Sequence, residues 1–321
     1  MRVLVTGGAG FIGSHLCERL VKDSHSVTVI DNFSTGRAAN LKQLEGEANF
    51  SFIEGSILDT DILKPLIENA EYVFHLAAAV GVFNIVNNPL ASLLTNIRGT
   101  ENVLEAAHST KTPVFLTSSS EVYGKNISDS LKESDDRILG SPVTLRWSYS
   151  EAKAIDESLA YAYFVEKGLE TRIVRFFNTV GPRQLGAYGM VVPRFVKSAI
   201  NNEPITIYGD GTQTRCFAHV YDVIDAVIAI AFADNTIGKV INIGNDFEIS
   251  INGLAQKIIA ETESKSEIVY VPYEEAYGDG FEDMERRVPN IDLIKQLVGW
   301  KPMRDLSTII ADISMEMKKS S

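Results

Sequence analysis

Tyr149 and Lys153 are the two residues of this chain whose types and spacing most directly indicate proton transfer. Four positions apart on a helix, they would share one face, one turn from each other. An ammonium group favours the phenolate, so we expect Lys153 to lower the pKa of Tyr149 and let its phenol act as a base near neutral pH. A tyrosine and a lysine at this spacing are also common on a solvated helix face, so the interpretation depends on their surroundings.

A run of small polar residues supplies part of those surroundings. Ser118–Glu121 comes directly after the predicted strand Val114–Thr117. Ligands of parallel sheets bind at the carboxyl ends of the strands. There, the hydroxyl of Ser119 can hydrogen-bond both the oxygen of Tyr149 and a substrate oxygen. In this context the weak pattern predicts a catalytic set of Ser119, Tyr149 and Lys153.

The element that would hold a cofactor beside these residues begins the chain. Val3–Val5 is a short apolar run, typical of a central parallel strand covered on both faces. Gly7, Gly10 and Gly13 follow at three-residue spacing. Apolar residues then continue at helical spacing, at Phe11, Ile12, Leu16 and Leu20. Bare N–H groups and the positive end of a helix dipole bind a diphosphate, so these elements predict a dinucleotide site.

Asp31 stands at the tip of the next predicted strand, Val27–Ile30. A carboxylate there accepts hydrogen bonds from the adenosine ribose and repels a 2′-phosphate, so we predict NAD in preference to NADP. Asp31 and Asn32 would also suit the start of an ordinary loop, and Arg37 is close enough in sequence to receive a phosphate. The glycine turn and the acidic residue support each other, which favours the cofactor interpretation.

The composition limits the classes of function. The chain has 321 residues, 45% of them hydrophobic, and a formal net charge of −12. The acidic balance argues against nucleic-acid binding, although local arginines can still receive a small anion. No apolar run reaches membrane-spanning length and no signal peptide precedes the first strand, so we expect a soluble, cytoplasmic protein with no membrane partner.

The cysteines and histidines show no metal-binding pattern. Cys17 and Cys216 are far apart in sequence and are expected to be free thiols. The histidines lack ligand spacing, so the sequence predicts no metal. They are His15, His25, His75, His108 and His219.

The distribution of apolar runs predicts an α/β fold with a Rossmann-type, doubly wound parallel sheet. Helical patterns such as Asn96–His108 and Ser150–Lys167 separate most of the strand-like runs. These runs lie at Val3–Val5, Val27–Ile30, Phe50–Ile53, Tyr72–Leu76, Val114–Thr117 and Thr171–Arg175.

After Phe177 the pattern changes to short strands mixed with helices, which predicts a smaller mixed α/β C-terminal substrate domain. The stretch 217–243 returns to a helix followed by a strand. We therefore expect residues 1–176 plus 217–243 to form the NAD-binding domain. Residues 177–216 plus 244–321 are expected to form the substrate-binding domain.

The first half of the chain resembles the extended short-chain dehydrogenase/reductases. The resemblance rests on the glycine turn, Asp31, the catalytic set, His75–Ala78 and Thr95-Asn96. Phe176–Arg183 and Tyr208–Phe217 extend it to the members that act on nucleotide sugars, over essentially the whole chain. It implies tightly held NAD, a nucleoside-diphosphate sugar in the C-terminal domain and a transient 4-keto sugar.

The resemblance also implies roles for individual residues. Tyr149 would remove the proton of the sugar 4-hydroxyl as hydride passes to NAD, Lys153 would hold the nicotinamide ribose and tune Tyr149, and Ser119 would bind the 4-oxygen. The implied cofactor residues are Gly7, Gly10, Phe11, Ile12, Gly13, Asp31, Asn32, Leu76, Ala77, Ala78, Asn96, Tyr149 and Lys153. The implied substrate residues are Asn178 and Arg215 at the diphosphate, Tyr208 near the base, and Arg183, Arg194 and Arg287. Ser56 replaces an aspartate that is frequent near the adenine, which bears on cofactor affinity.

Ser120, Glu121 and Arg287 distinguish the branches of this family. In its 4,6-dehydratases an Asp-Glu pair follows the hydroxyl residue, and the Asp protonates the leaving water; here Ser120 takes that place. Ser-Glu with a distant Arg-x-Pro resembles the UDP-glucuronic acid decarboxylases, as do the segments Arg146–Tyr149 and Tyr277–Asp283. The alternative is that Glu121 and Arg287 form a surface ion pair that contributes little to the stability of the fold.

Decarboxylation is chemically coherent with the implied 4-keto sugar. Oxidation at C4 of a glucuronosyl group places a ketone β to the carboxylate, and a β-keto acid readily loses carbon dioxide. The product would be UDP-xylose or its 4-keto pentose. Glu121 and Arg287 would position the substrate and handle the proton that returns to C5.

Two other functions stay open at this point. The stretch Ala77–Ile85 looks more like the 4-epimerases, which would act on UDP-glucose and UDP-galactose or on UDP-glucuronic acid. An inactive NAD-binding regulator would need no catalytic set, which argues against that reading.

The chain is expected to form a homodimer. The helical stretches Asn96–His108 and Ser150–Lys167 carry more apolar residues than one sheet face needs, and related enzymes pair these helices across a two-fold axis. The residues concerned are Val103, Leu104, Leu159, Tyr161, Tyr163 and Phe164.

Overall fold

The computed structural model of the chain describes residues 1–81, 87–186, 190–272, 275, 284 and 286–320. Strands and helices alternate through the first half. The strands are β1 (Arg2–Thr6), β2 (Ser26–Asp31), β3 (Phe50–Glu54), β4 (Tyr72–His75), β5 (Val114–Ser119), β6 (Thr171–Phe176), β7 (Thr179–Val180), β8 (Ile205–Tyr208), β9 (Thr214–Cys216), β10 (Ala218–His219), β11 (Val240–Ile243), β12 (Glu248–Ser250) and β13 (Ile268–Val271). The helices are α1 (Phe11–Lys22), α2 (Thr60–Glu68), α3 (Pro89–Thr110), α4 (Ser148–Lys167), α5 (Val191–Ile200), α6 (Val220–Ala231), α7 (Ile251–Glu261), α8 (Asp292–Val298) and α9 (Leu306–Ser320).

The main sheet of the described chain has seven parallel strands in the order β3-β2-β1-β4-β5-β6-β11. Successive side chains of a strand point to opposite faces. On β1, Val3 and Val5 therefore enter the core shared with α1 and α6, whereas Leu4 enters the core shared with α2, α3 and α4. Helices thus cover both faces, which confirms the predicted doubly wound α/β fold.

Smaller elements surround a second apolar core near the C-terminus. Helices α5, α7 and α9 contribute buried side chains to it, together with Ile205 and Ile207 of β8. Two-stranded sheets join β8 to β13, β9 to β12 and β7 to β10. The predicted division of the chain into two domains stays a prediction. Among the described residues, no helix combines the length and apolarity needed to cross a membrane.

The observed bounds differ from the predicted ones mainly at α3. The sequence pattern predicted a helix from Asn96, but α3 begins at Pro89. Proline suits the first helical position, because the N–H group that it lacks would have no partner there. The added turns place Asn96 inside the helix, and this affects its role in the site.

Candidate active site

One cleft of about 540 Å³ opens at the carboxyl ends of the central strands. Every site residue predicted from the sequence lines this cleft except Asn96. The glycine turn and Asp31 lie at one end, which we call the cofactor end. Glu121, Tyr149 and Arg287 lie at the other, which we call the reaction end.

The glycine turn leaves no room for side chains. A Cβ atom on Gly13 would lie 2.3 Å from the carbonyl oxygen of Gly7, and one on Gly7 would lie 2.7 Å from the backbone nitrogen of Ala77. Gly7 also has a φ of +73°, a conformation that L-residues rarely adopt. Helix α1 begins immediately afterwards at Phe11, with no acidic residue in its first turn. Bare backbone and a helix N-terminus suit a diphosphate, so this turn fits NAD.

Asp31 is built into the turn by hydrogen bonds from the backbone. Its Oδ2 accepts from the N–H of Ala9 at 2.9 Å and its Oδ1 from the N–H of Phe33 at 2.8 Å. Burial raises the pKa of this carboxyl, and the two backbone donors oppose that rise. Arg37, the alternative phosphate ligand, donates to Asn40 and to the carbonyl of Arg183. The acidic residue therefore faces the cofactor end with a fixed orientation.

Asn96 lies behind the cleft wall. Its Oδ1 accepts from the N–H of Ala79 at 2.7 Å, and its Nδ2 donates to the carbonyl of Ala79 at 3.3 Å. The side chain thus fixes the loop that carries Leu76, Ala77 and Ala78 along the cleft. Asn96 thus bears on the cofactor end through this loop, and the direct cofactor contact implied by the resemblance stays a prediction.

Tyr149 is positioned by α4 and lines the cleft together with Ser119 at the end of β5. The pKa of Tyr149 is raised, first by burial and then by the carboxylates of Glu121 and Asp156, while Ser119 opposes the rise. This direction is opposite to the one predicted from Lys153 alone. The difference arises first because the phenol is buried, and then because the carboxylates of Glu121 and Asp156 act on it.

Lys153 is almost fully buried, one helical turn after Tyr149. Its Nζ donates to the carbonyl of Thr117 at 3.0 Å and to Oδ2 of Asp156 at 3.1 Å. Asp156 was not among the predicted site residues. Its position three residues after Lys153 was the available signal, because that spacing also brings two helical side chains together.

A buried cluster of three charged residues forms the far side of the reaction end. Arg146 Nη1 donates to Oε2 of Glu121 at 2.6 Å, and Arg287 Nη1 donates to Oε1 at 2.6 Å. Arg287 Nη1 also lies 3.3 Å from the hydroxyl of Ser120. Burial would raise the pKa of Glu121, but the two guanidinium groups lower it to about 2. Two arginines and one ionised carboxylate leave this cluster with one net positive charge.

Arg287 reaches Glu121 because its own segment is paired with a distant loop. The N–H of Leu131 donates to the carbonyl of Val288 at 2.8 Å, and the N–H of Asn290 donates to the carbonyl of Leu131 at 2.8 Å. Arg287 is 8% exposed. The ion pair with Glu121 is therefore a buried contact, which excludes the alternative of a surface ion pair.

The remaining predicted substrate residues also line the cleft; they come from the segment just before β7, from α5, from β8 and from β9. The guanidinium of Arg194 lies 4.3 Å from the ring centre of Tyr208. Asn178 donates to the carbonyl of Cys216 at 3.0 Å, and Arg215 donates to the carbonyl of Thr214 at 2.8 Å. In this part of the cleft, the ring of Tyr208 suits a nucleobase, and the guanidinium groups of Arg194 and Arg215 suit a diphosphate.

Arg183 has a different environment. It lines the cleft, but its guanidinium donates to Glu18 at 2.6 Å and to the hydroxyl of Ser14 at 3.1 Å, both on α1. Its backbone N–H donates to Glu316 of α9. These contacts join α1 to the C-terminal helix, and the predicted contact of Arg183 with the substrate stays a prediction.

Arg146 is the second functional candidate that residue spacing did not identify. It entered the sequence analysis only within the segment Arg146–Tyr149. Its partner Glu121 lies 25 positions earlier, and no local pattern connects the two. Parts of two other stretches, residues 82–86 and 277–283, lie outside the described residues, as does Glu285. Within the described residues no group of three or more His, Cys, Asp or Glu could hold a metal ion.

Two curated relatives match nearly the whole chain. The chain is 43% identical over 302 residues to a UDP-N-acetyl-alpha-D-glucosaminuronate decarboxylase of Bacillus cytotoxicus. The aligned region covers 94% of this chain and 92% of that protein. It is 36% identical over 304 residues to UDP-glucuronic acid decarboxylase 1 of Danio rerio, covering 94% and 69% respectively.

A solved structure and a family model agree with these relatives. The UDP-glucuronic acid 4-epimerase of Bacillus cereus, in complex with UDP-glucuronic acid and NAD, superposes with a TM-score of 0.90 at 31% identity, over 100% of both chains. The model of the NAD-dependent epimerase/dehydratase family matches residues 3–244. The predicted cofactor, NAD, is thereby confirmed. With the glycine turn, Asp31 and the Ser119–Tyr149–Lys153 set in one cleft, the chain belongs to the NAD-dependent epimerase/dehydratase family.

Proposed function

We propose that this protein is an NAD-dependent decarboxylase of a UDP-uronic acid, with UDP-glucuronic acid as the substrate and UDP-xylose or its 4-keto pentose as the product. The observation that carries the proposal is the buried cluster of Arg146, Glu121 and Arg287. It presents one net positive charge beside Tyr149, in a place where a neutral sugar would offer no counter-ion. An acidic sugar supplies that counter-ion.

The chemistry at C4 falls to Tyr149 and Ser119. Tyr149 must lose its own proton to solvent and act as the phenolate; it then takes the proton of the 4-hydroxyl, while Ser119, beside the phenol in the cleft, holds the same oxygen. NAD, when bound, supplies the acceptor for the hydride from C4. The resulting ketone is β to the carboxylate at C5, so the C5–carboxylate bond breaks with release of carbon dioxide and its electron pair passes into the enolate of the C4 ketone. C5 then takes a proton from water to give the 4-keto pentose.

The cluster positions the carboxylate and balances its charge. The guanidinium of Arg287 offers a planar fork that matches a carboxylate. Glu121, with a pKa of about 2, is ionised at neutral pH and holds no proton for C5. Arginine does not act as an acid at this pH either. The part of the sequence-based hypothesis that gave proton return to Glu121 and Arg287 is therefore replaced by a role in positioning.

The second candidate is a 4-epimerase of UDP-glucuronic acid. The similarity to the Bacillus cereus epimerase over the complete chain favours it, and so does the stretch Ala77–Ile85. An epimerase would hold the carboxylate in place and return hydride to the other face of C4. The same cluster serves both reactions, so the products must decide between them.

The deciding experiment is incubation of the purified protein and NAD with three substrates separately: UDP-glucuronic acid, its 2-acetamido analogue and UDP-glucose. We expect carbon dioxide and a UDP-pentose from UDP-glucuronic acid, or carbon dioxide from the analogue if the substrate is that of the Bacillus cytotoxicus relative. UDP-galacturonic acid without carbon dioxide would establish the epimerase. The variant Tyr149→Phe, prepared identically, controls for contaminating activity.

We propose further that two copies associate through α4. Ile155, Tyr161 and Val165 form an exposed apolar stripe on this helix, at 40%, 52% and 61% exposure. Val103 and Leu104, which were part of the sequence argument, instead lie in the core of their own sheet. Val165→Glu should give a monomer in sedimentation, whereas Val269→Glu, at an exposed position on β13, should not. A monomeric wild-type protein at micromolar concentration would refute the dimer.

A further inference from the structure

Asn242 of β11 lies outside the cleft but bonds two segments that meet inside it. It is fully buried, and it is not among the described residues that line the cleft. Its neighbours Ile241 and Ile243 enter the core shared with α1 and α6, so the side chain of Asn242 points to the opposite face of the sheet. Burial of an amide is costly unless its polar atoms are hydrogen-bonded, so the partners of Asn242 indicate its role.

Every polar atom of the Asn242 side chain has a partner. Its Oδ1 accepts from the hydroxyl of Tyr123 at 2.8 Å. Its Nδ2 donates to the carbonyl of Leu131 at 2.9 Å and to the carbonyl of Asn290 at 3.3 Å. One amide therefore connects the turn that carries Tyr123, the loop that carries Leu131 and the segment that carries Asn290.

Two of these pieces of chain also carry charged residues of the reaction end. Tyr123 ends the short 3₁₀ turn Ser120–Tyr123, which includes Glu121. Asn290 belongs to the same segment as Arg287. The contact between Glu121 and Arg287 depends on how the turn and the segment are placed relative to each other, and Asn242 bonds both.

The neighbours of Asn242 hold this arrangement in place. The guanidinium of Arg175, which is paired with Asn242 in the sheet register, lies 4.7 Å from the ring centre of Tyr123. Arg175 donates to Oε2 of Glu157 at 2.7 Å and to the carbonyl of Glu133 at 3.1 Å. Oε1 of Glu133 in turn accepts from the backbone N–H of Asn242 at 2.9 Å. Connected buried hydrogen bonds of this kind favour a single arrangement of their members.

A second set of contacts holds the segment of Arg287 from the solvent side. The guanidinium of Arg286 donates to the two carboxylate oxygens of Glu248, at 2.7 and 2.9 Å. The side chain of Arg286 is 41% exposed. Because water screens an exposed ion pair, this contact stabilises the placement of Arg287 less than the buried network does.

We propose that Asn242 is a positioning residue that places Arg287 beside Glu121 in the orientation that receives a sugar carboxylate. A guanidinium binds a carboxylate through N–H groups that lie in one plane, so a shift of the segment weakens this contact and leaves the rest of the cleft intact. The inference rests on the proposed role of Arg287 in binding the carboxylate. It applies equally to a decarboxylase and to a 4-epimerase of UDP-glucuronic acid.

The test compares the affinities for an acidic and a neutral sugar. Dissociation constants of UDP-glucuronic acid and UDP-glucose are measured by calorimetry with NAD bound, in a Tyr149→Phe background that suppresses turnover. We expect the background protein to bind UDP-glucuronic acid more tightly than UDP-glucose. This preference should fall about threefold in Tyr123→Phe, which loses one hydroxyl, and about tenfold in Asn242→Asp, which keeps Oδ1 but loses both N–H donors. The affinity for UDP-glucose should stay close to that of the background protein.

Tyr72→Phe is the matched control. The hydroxyl of Tyr72 is also buried and donates to the carbonyl of Ala231 at 3.0 Å, and Tyr72 is outside the described lining of the cleft. This variant should lower the thermal unfolding midpoint about as much as Tyr123→Phe and leave the preference unchanged. If it reduced the preference as far as Tyr123→Phe does, the effect would be a general result of losing a buried hydroxyl, and the proposal would be wrong.

The other outcomes separate this inference from the proposed function. A preference that survives Asn242→Asp would refute the inference alone and leave Asn242 a purely structural role. If Asn242→Asp does not fold, Tyr123→Phe decides in the same way, because it keeps the aromatic ring. Absence of any preference in the background protein would overturn the proposed function, and this inference with it.

Discussion

The two ends of the cleft are built from different parts of the polypeptide. The cofactor end is made of backbone: Cβ atoms on Gly7 and Gly13 would clash with neighbouring backbone, and Asp31 is held by two backbone N–H groups. The reaction end is made of side chains, with a buried carboxylate between two guanidinium groups and a buried lysine–aspartate pair. A site built from backbone suits a ligand that a whole family shares. A site built from charged side chains can differ between family members that act on different substrates.

The largest effect should come from Tyr149→Phe, which alters only the reaction end. We expect turnover to fall about 10²–10⁴-fold, because the phenol is the proposed proton carrier at the 4-hydroxyl. NAD affinity, measured by fluorescence titration, should stay close to that of the wild type. Tyr161→Phe, on the exposed side of the same helix, is the control and should retain turnover. Near-normal turnover in Tyr149→Phe would assign the base to another group.

Arg287→Ala should reduce decarboxylation of the acidic sugar by about 10²-fold, since removal of one partner of a buried charge pair costs several kcal/mol. Arg287→Lys keeps the charge but loses the planar fork, so it should recover only part of the activity. Oxidation of a neutral UDP-sugar should change little in either variant. Equal losses on acidic and neutral sugars would show that Arg287 supports the fold of the reaction end and does not select the carboxylate.

Acid should weaken the fold through histidines at the cofactor end. Burial is the main cause that lowers the pKa of His15 to about 4 and of His75 to about 3. The unfolded chain takes up both protons as the pH falls through about 6.5, and the folded chain does not, so stability is lost from about pH 6.5 down to about pH 4 for His15 and about pH 3 for His75. Each histidine should cost about 2 kcal/mol at pH 5.

Glu121 should contribute little to this change. Its lowered pKa gives a stability contribution that is present above its ordinary pKa and lost only as the pH falls toward about 2. Urea unfolding at pH 7 and pH 5 measures the difference, and His15→Gln should reduce it by about half. Equal stability at the two pH values would contradict the buried, neutral state of both histidines.

Asp31→Ala should relax the preference for NAD over NADP by about tenfold, the worth of one charge-assisted hydrogen bond. Asp31→Asn retains an acceptor for the N–H groups of Ala9 or Phe33 and separates the loss of charge from the loss of loop structure. Dissociation constants for both cofactors provide the measurement. A wild-type protein that binds NADP at least as tightly as NAD would refute the role of Asp31.

The contrast between the cofactor end and the reaction end also explains which parts of the site could be predicted from the sequence. The glycine turn, Asp31 and the Tyr149–Lys153 pair are local patterns in which spacing alone determines a shared turn or helix face. The contact of Glu121 with Arg146 spans 25 positions and that with Arg287 spans 166, so no local pattern reveals the charge cluster. The pKa of Tyr149 was predicted in the wrong direction because burial of the phenol and the approach of Glu121 depend on tertiary packing, which the spacing to Lys153 does not reveal. The bonds of Asn96 to Ala79 join two separate segments, so no local pattern predicts them, and the contact of Asn96 with the cofactor stays a prediction.

The pairing of Leu131 with the segment of Arg287 also bears on how the enzyme becomes active. Contacts between residues so far apart in sequence form late, because a long loop must close before they stabilise anything. During refolding, the parallel sheet and its glycine turn can assemble from neighbouring strands, whereas the reaction end waits for this closure. Recovery of NAD binding should therefore precede recovery of turnover, and the delay between them would measure the time that the chain needs to join Arg287 to Glu121.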